Sequence, residues 1–206
     1  MRKGLKIKFF FLAIFSLLIV VFKYSAGKDK GKHIALPKSL PAEYLKSGYL
    51  ICRHGDGFWS EAIIKQQKTD KRFSHIGIIS TRDGNAAVIH ADTSNHFALS
   101  GQVVQESLDS FLIHARRIGI FKVKQVNPVN LEQKAYTYIG RPFDWKFNAK
   151  DNKSIYCSEL IKLAIDEVAP QSMPEFSYIK LGRNEIIPID VFISPEFSEE
   201  IYDVIF

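Results

Sequence analysis

The chain has 206 residues, 46% of them hydrophobic and 13% aromatic, which suits one compact domain with its own core and excludes a disordered or low-complexity protein. Its net charge of +6 is unevenly spread: residues 1–32 carry eight Lys or Arg against Asp29 alone, so that segment holds +7 and the remainder −1. A near-neutral domain lacks the electrostatic footprint of nucleic-acid binding, and no nucleic-acid partner is expected.

The first element is Phe9 to Phe22, apolar except for Ser16, with Arg2, Lys3, Lys6 and Lys8 before it and Lys23 after it. A spanning helix needs about 20 apolar residues and a signal h-region about 7–15. Residues 1–32 are therefore expected to be a signal peptide or an N-terminal membrane anchor with a basic flank. Residues 33–206 would form the domain, exported to the periplasm or another extracytoplasmic space. Membrane contact would run through residues 9–22 alone. No cysteine lies in or just after the run, so no lipoprotein attachment site is expected.

Past a Lys- and Pro-containing linker, Ser47 to His54 alternates as a strand, and Gly55-Asp56-Gly57 turns the chain into a short helical pattern over Phe58 to Lys68. Phe73 to Ser80 and Ala86 to Ala91 predict a hairpin around Asp83-Gly84. A strand is expected from Val103, a helical turn over Ser107 to Phe111, and another strand over Arg116 to Val126. Asn130 to Ile139 predicts a helix ended by Gly140. Ile155 to Val168 is the clearest helix, with Ser154 as its N-cap. A last strand is expected over Glu185 to Ile193, interrupted at Pro188. Strands with segregated helices make an α+β domain.

The chemistry concentrates on three residues. With Ser154 as N-cap, Cys157 would lie in the first helical turn, where unpaired N–H groups and the helix dipole favour a thiolate and can hold an oxyanion. His75 lies in an apolar strand two residues before Gly77, and a strand glycine often marks the close approach of another group. Opposed residues of an antiparallel pair have a constant number sum. A tight turn at Asp83-Gly84 gives 167, with Asp92 opposite His75; a four-residue loop gives 165, with His90 opposite. Both registers put His90 and Asp92 on the face of His75, so His90 is the first candidate to orient it and Asp92 the second. A cysteine, a base and an orienter are the parts of a thiol hydrolase. His54 is a further cleft candidate. Cys52 alternates into an apolar face and is expected in the core rather than in a disulfide. No His pair has i, i+4 helical spacing and there is no Cys-x-x-Cys, so neither a metal nor a cofactor is expected.

Four segments in this order carry a resemblance: Gly48 through Ser60; Phe73-Ser74-His75-Ile76-Gly77-Ile78 with Val88-Ile89-His90-Ala91; Gly140-Arg141-Pro142-Phe143-Asp144 leading to Tyr156-Cys157-Ser158-Glu159-Leu160; and Ile187-Pro188-Ile189-Asp190 through Phe197. Together they resemble the NlpC-type branch of papain-like cysteine hydrolases, and more closely its circularly permuted YiiX/YebB-like group. The resemblance implies a permuted papain-like fold, an antiparallel sheet with the nucleophile helix packed on it. It implies Cys157 as nucleophile, His75 as base and His90 as third residue. Relatives often carry a Tyr where this chain has Phe143, which has no hydroxyl to support an oxyanion. Tyr156 or backbone N–H groups would have to supply that donor.

The expectation is an exported cysteine hydrolase cleaving an amide bond in a small peptide or acyl-amide, with cell-wall peptides as the leading substrates. The alternatives are a lipid-directed thiol acyl hydrolase or acyltransferase, and a non-catalytic module that binds wall or lipid.

Overall fold

The computed structural model describes residues 40–56, 58–95, 100–113, 115–149, 153–170, 173–181 and 184–206. The proposed signal or anchor, together with His33, His96 and His114, lies outside them. Among the described residues no helix is long and apolar enough to cross a membrane.

Six antiparallel strands form one sheet: β1 (Leu50–Gly55), β2 (His75–Ser80), β3 (Ala87–Asn95), β4 (Ser100–Ser107), β5 (Ala115–Val123) and β8 (Ser198–Ile205). Their spatial order is β4-β3-β2-β1-β5-β8. β6 (Ile179–Leu181) and β7 (Asn184–Ile186) make a separate two-stranded pair. The helices are α1 (Phe58–Gln66), α2 (Leu108–Leu112), α3 (Pro128–Tyr136), α4 (Cys157–Val168) and α5 (Ile189–Phe192).

Strand alternation gives the sheet two apolar faces. Leu50, Ile76, Ile78, Ile89 and Ala91 pack with Leu160, Ile161, Ala164 and Ile165 of α4 and with Leu131 and Ala135 of α3. Ile51, Ile79, Val88, Ile118 and Ile120 pack on the opposite face with Phe111 and Leu112 of α2. The sheet is thus buried on both sides, and α4 is the helix that carries the cysteine across it.

Three sequence expectations are corrected. The α4 N-cap is Tyr156, in extended conformation, rather than Ser154. Ile155 is instead held extended by an isolated bridge to Phe143, so the helix starts two residues later and Cys157 is its first residue. The expected strand over 185–193 is the short β7 followed by α5, because Pro188, which has no N–H for a ladder, opens a helical turn. The terminal strand is β8.

The β2/β3 register is Ile78↔Ile89, Ile79↔Val88 and Ser80↔Ala87, the 167 sum. Its turn spans Thr81 to Gly84, where Gly84 N–H donates to Thr81 O at 3.1 Å and Gly84 has φ +83°.

Candidate active site

The start of α4 is held from two sides. Phe143 N–H donates to Gly101 O on β4 and Ile155 N–H to Pro142 O, both at 2.8 Å, so the Gly140–Phe143 segment clamps the approach to Cys157 onto the sheet edge. On the other side, Ile187 N–H donates to the Tyr156 hydroxyl at 3.0 Å and Ser158 Oγ donates to Ile187 O at 2.6 Å. Glu159 accepts the Tyr156 N–H at 3.3 Å, which satisfies one orphan donor at the helix start. Tyr156 is buried, and its hydroxyl is engaged with the 187 backbone.

The sulfur sits where two strands part. Ile79 N–H turns towards β1, onto Tyr49 O, so the alternation turns Ile76 N–H towards β3. The β2/β3 pairing stops at Ile78↔Ile89, and the backbone N–H groups of Ile76, Ser158 and Cys157 act on the Cys157 sulfur by favouring its charged form.

Cys157 is 8% exposed. Burial pushes its thiol up to about 11, against the opposing pull of those N–H groups and of the Arg53 guanidinium. Desolvation thus opposes the first-turn N–H groups, which favour the thiolate, and raises the thiol rather than lowering it. Cys52 is also a free, fully buried thiol, raised well above its ordinary value by burial.

His75 opens β2. Its Nε2 lies 2.8 Å from His90 Nδ1, and the rings meet edge to face at 4.9 Å between centroids. Burial, then Arg53, then His90 hold its imidazole well below the usual range, so it is neutral at pH 7. His90 is diagonal to His75 in the 167 register, and Gly77 permits that diagonal. A Cβ on Gly77 would lie 2.6 Å from Val88 Cγ1 and 3.0 Å from His90 Cβ.

The structure therefore brings His75 to His90, while Asp92 pairs with Gln102 across β3/β4. His54 lies 3.4 Å from Glu61 of α1, away from the histidine pair.

Two further charged groups were not singled out from the sequence. Arg53, opposite His75 in the β1/β2 register, donates from Nη1 to Phe111 O at 2.7 Å, with its guanidinium 4.5 Å from the Phe111 ring centroid. Burial lowers its pKa against the nearby charges of Glu106, Asp92, Cys157 and Asp56. Glu106 of β4 has Oε1 2.8 Å from His90 Nε2. That nitrogen is buried and the oxygen stands off the ring N–H direction, so the contact is close but not aligned as a hydrogen bond. Asp144 is buried as well, but its carboxylate caps its own loop by accepting N–H bonds from Lys146 and Asn148.

A buried thiol at a helix start and a strand-borne imidazole pair, both carried by one antiparallel sheet and its helix, are the elements of a papain-like fold. The chain belongs to the family described as permuted papain-like amidase enzymes, YaeF/YiiX, C92, whose match extends over residues 44–181. A solved structure described as the metalloprotein yiiX from Escherichia coli O157:H7, DUF1105, shares the fold with a TM-score of 0.61 at 17% identity. The alignment covers 78% of this chain and 98% of that one. No match was found among curated proteins.

Proposed function

We propose that this chain is a cysteine amidase or peptidase that works through Cys157, His75 and His90 by a thioacyl-enzyme. The observation that carries the reading is the 2.8 Å His75–His90 contact, together with Cys157 at the start of α4, where backbone N–H groups favour its charged form. His75 uses Nε2 towards His90, so Nδ1 is the nitrogen assigned to the thiol. As the sulfur attacks the amide carbon, Nδ1 takes the thiol proton, and the carbonyl electrons move onto oxygen, where the Cys157 N–H and its neighbours hold them. Collapse expels the amine, which takes the proton from His75. Water, deprotonated by the same nitrogen, then attacks the thioester and regenerates the thiol.

Since the resting thiol and imidazole are both neutral, the proton moves during attack rather than before it. Phe143 offers no donor, so backbone N–H groups carry the oxyanion. The solved neighbour is described as a metalloprotein. Among the described residues of this chain, no group of three or more His, Cys, Asp or Glu side chains could hold a metal ion. The facing histidine nitrogens, bonded to each other, do not fit a shared metal either. The steps above use protein groups alone.

The substrate class we infer is a small peptide amide outside the cytoplasm, with wall peptides first. The basic, apolar residues 1–32 support export, and the fixed charge of Arg53 near the sulfur suits a polar substrate better than an acyl chain. The test is to mix the protein with p-nitrophenyl acetate and a set of wall-peptide amides and follow acyl adducts by intact mass. An acetyl adduct on Cys157 that forms in a burst, turns over with water and is absent from Cys157→Ser and His75→Ala is expected. No adduct on Cys157 with any acyl donor would replace this reading with a non-catalytic module.

A further inference from the structure

Among the described residues, the charged cluster around His90 has a member that the mechanism above does not use. Glu106 lies on β4, where Val88↔Glu106 and His90↔Val104 are register pairs, so Glu106 is the diagonal neighbour of His90 on the same face of the sheet. Its Oε1 is 2.8 Å from His90 Nε2. His90 is fully buried, and the Glu106 side chain is 27% exposed, so the carboxylate reaches a buried imidazole from a partly exposed position.

The hydrogen positions follow from these contacts. A carboxylate oxygen and an imidazole lone pair 2.8 Å apart repel, so the facing nitrogen carries the proton, since of the two groups the imidazole nitrogen is far the more basic. A neutral His90 with its proton on Nε2 has a lone pair on Nδ1. The nitrogen facing that lone pair, His75 Nε2 at 2.8 Å, must then be the donor. A neutral His75 with its proton on Nε2 has its lone pair on Nδ1, the nitrogen assigned to the thiol.

Without an acceptor at Nε2, His90 is free to carry its proton on Nδ1 and donate to His75 Nε2. The His75 proton is then on Nδ1, and the base has no lone pair for the thiol. The oxygen standing off the N–H line does not alter this logic, since a small side-chain rotation on a partly exposed strand aligns it.

We propose that Glu106 is a positioning residue: its carboxylate fixes the tautomer of His90, and through it that of His75. The proposal rests on the cysteine-hydrolase reading for its kinetic consequence but not for its tautomer consequence. Arg53 from β1 and Phe111 from α2 face the histidine pair, and the charges of Glu106, Asp92 and Asp56 act on Arg53. Arg53 in particular offers a rival role for Glu106, as a plain charge partner of the guanidinium.

Two variants of the full chain separate these roles. Glu106→Gln keeps an oxygen acceptor and loses the charge; Glu106→Met loses both. Long-range 1H–15N spectra of the histidine rings read the tautomers directly, and single-turnover acetylation of Cys157 by p-nitrophenyl acetate reads the base. In the wild type and in Glu106→Gln, His75 and His90 are expected to be protonated at Nε2, with acetylation rates within about threefold of each other. In Glu106→Met both rings are expected to switch to Nδ1–H, and acetylation to fall by roughly 10- to 100-fold, the usual range for outer-shell partners. His75 and His90 keeping their tautomers in Glu106→Met would overturn the proposal. So would a loss in Glu106→Gln as large as in Glu106→Met, which would assign Glu106 to charge pairing. If wild-type Cys157 takes no acetyl group, the hydrolase reading fails while the ring spectra still decide the tautomer claim.

Discussion

At Cys157 two local effects oppose each other. The N–H groups of Ile76, Cys157 and Ser158 favour the thiolate, whereas removal from water disfavours it, and the balance leaves the thiol at about 11. A free peptide thiol titrates near 8.5, so this cysteine is a weaker resting nucleophile than its helix position suggests. In a Cys52→Ala background, iodoacetamide should alkylate Cys157 at a rate that climbs continuously from pH 7 to 10. A plateau reached below pH 8 would instead mean a preformed thiolate–imidazolium pair. Cys157, His75 and His90 were legible in the sequence because their neighbours, Tyr156-Cys157-Ser158-Glu159 and the two hairpin strands, form ordered local patterns. Burial was not legible, since it depends on what the chain packs over the sulfur, and it reverses the sign of the thiol shift. Arg53 and Glu106 were missed for a related reason. Each looks like an ordinary strand charge until the register sets it beside a histidine. Glu106 follows from the β3/β4 pairing, and His96-Phe97-Ala98-Leu99 offers no Gly, Pro or Asn signal to fix that pairing in advance.

The site depends on two elements diverging. β2 and β3 pair over three residues and then separate, which leaves Ile76 N–H outside the ladder, and Gly77 lets the strands sit close enough for His90 to reach across the diagonal. A methyl group at Gly77 meets Val88 Cγ1 at 2.6 Å and the Ile89 carbonyl oxygen at 3.0 Å, neither of them the end of a long flexible chain. Gly77→Ala should therefore cost about 1–3 kcal/mol, the range for overpacking, and should lengthen the His75–His90 contact. Urea unfolding checks the first expectation and the histidine ring spectra the second. A variant that keeps wild-type stability and ring spectra would show that β3 yields without cost. The hairpin was predictable from alternation and Asp83-Gly84, but its register was not, because a turn from Thr81 to Gly84 supports the 167 sum as well as a tighter one does. The helix start shows the same limit. Ser154 fits a cap by residue type, yet the Phe143–Ile155 bridge keeps the chain extended until Tyr156, and only the clamp onto β4 reveals that.

The molecule is held together by a C-terminal part that the family match does not include. That match ends at residue 181, whereas β7, α5 and β8 lie beyond it. β8 supplies the outer partner of β5, and its Asp203 pairs with Arg72 and Arg117. Asp190 of α5, itself buried, accepts the N–H groups of Lys68 and Thr69 at 2.8 and 2.7 Å, fixing the chain after α1. Ile187, Ile189, Phe192 and Ile193 belong to the same core cluster as α4. Ile187 also holds the nucleophile helix directly, through Tyr156 and Ser158. A chain ending at Leu181 would thus lose a strand of the sheet, one side of the α4 core and the brace on the residue either side of Cys157. It should lack a cooperative urea transition, and its Cys157 should react with iodoacetamide like a free peptide thiol, with an inflection near 8.5. A cooperative transition with the thiol still raised would place the stability of the site entirely within residues 44–181. The contacts argue otherwise: the segment around Cys157 is held in place by Ile187 and the core residues that follow it.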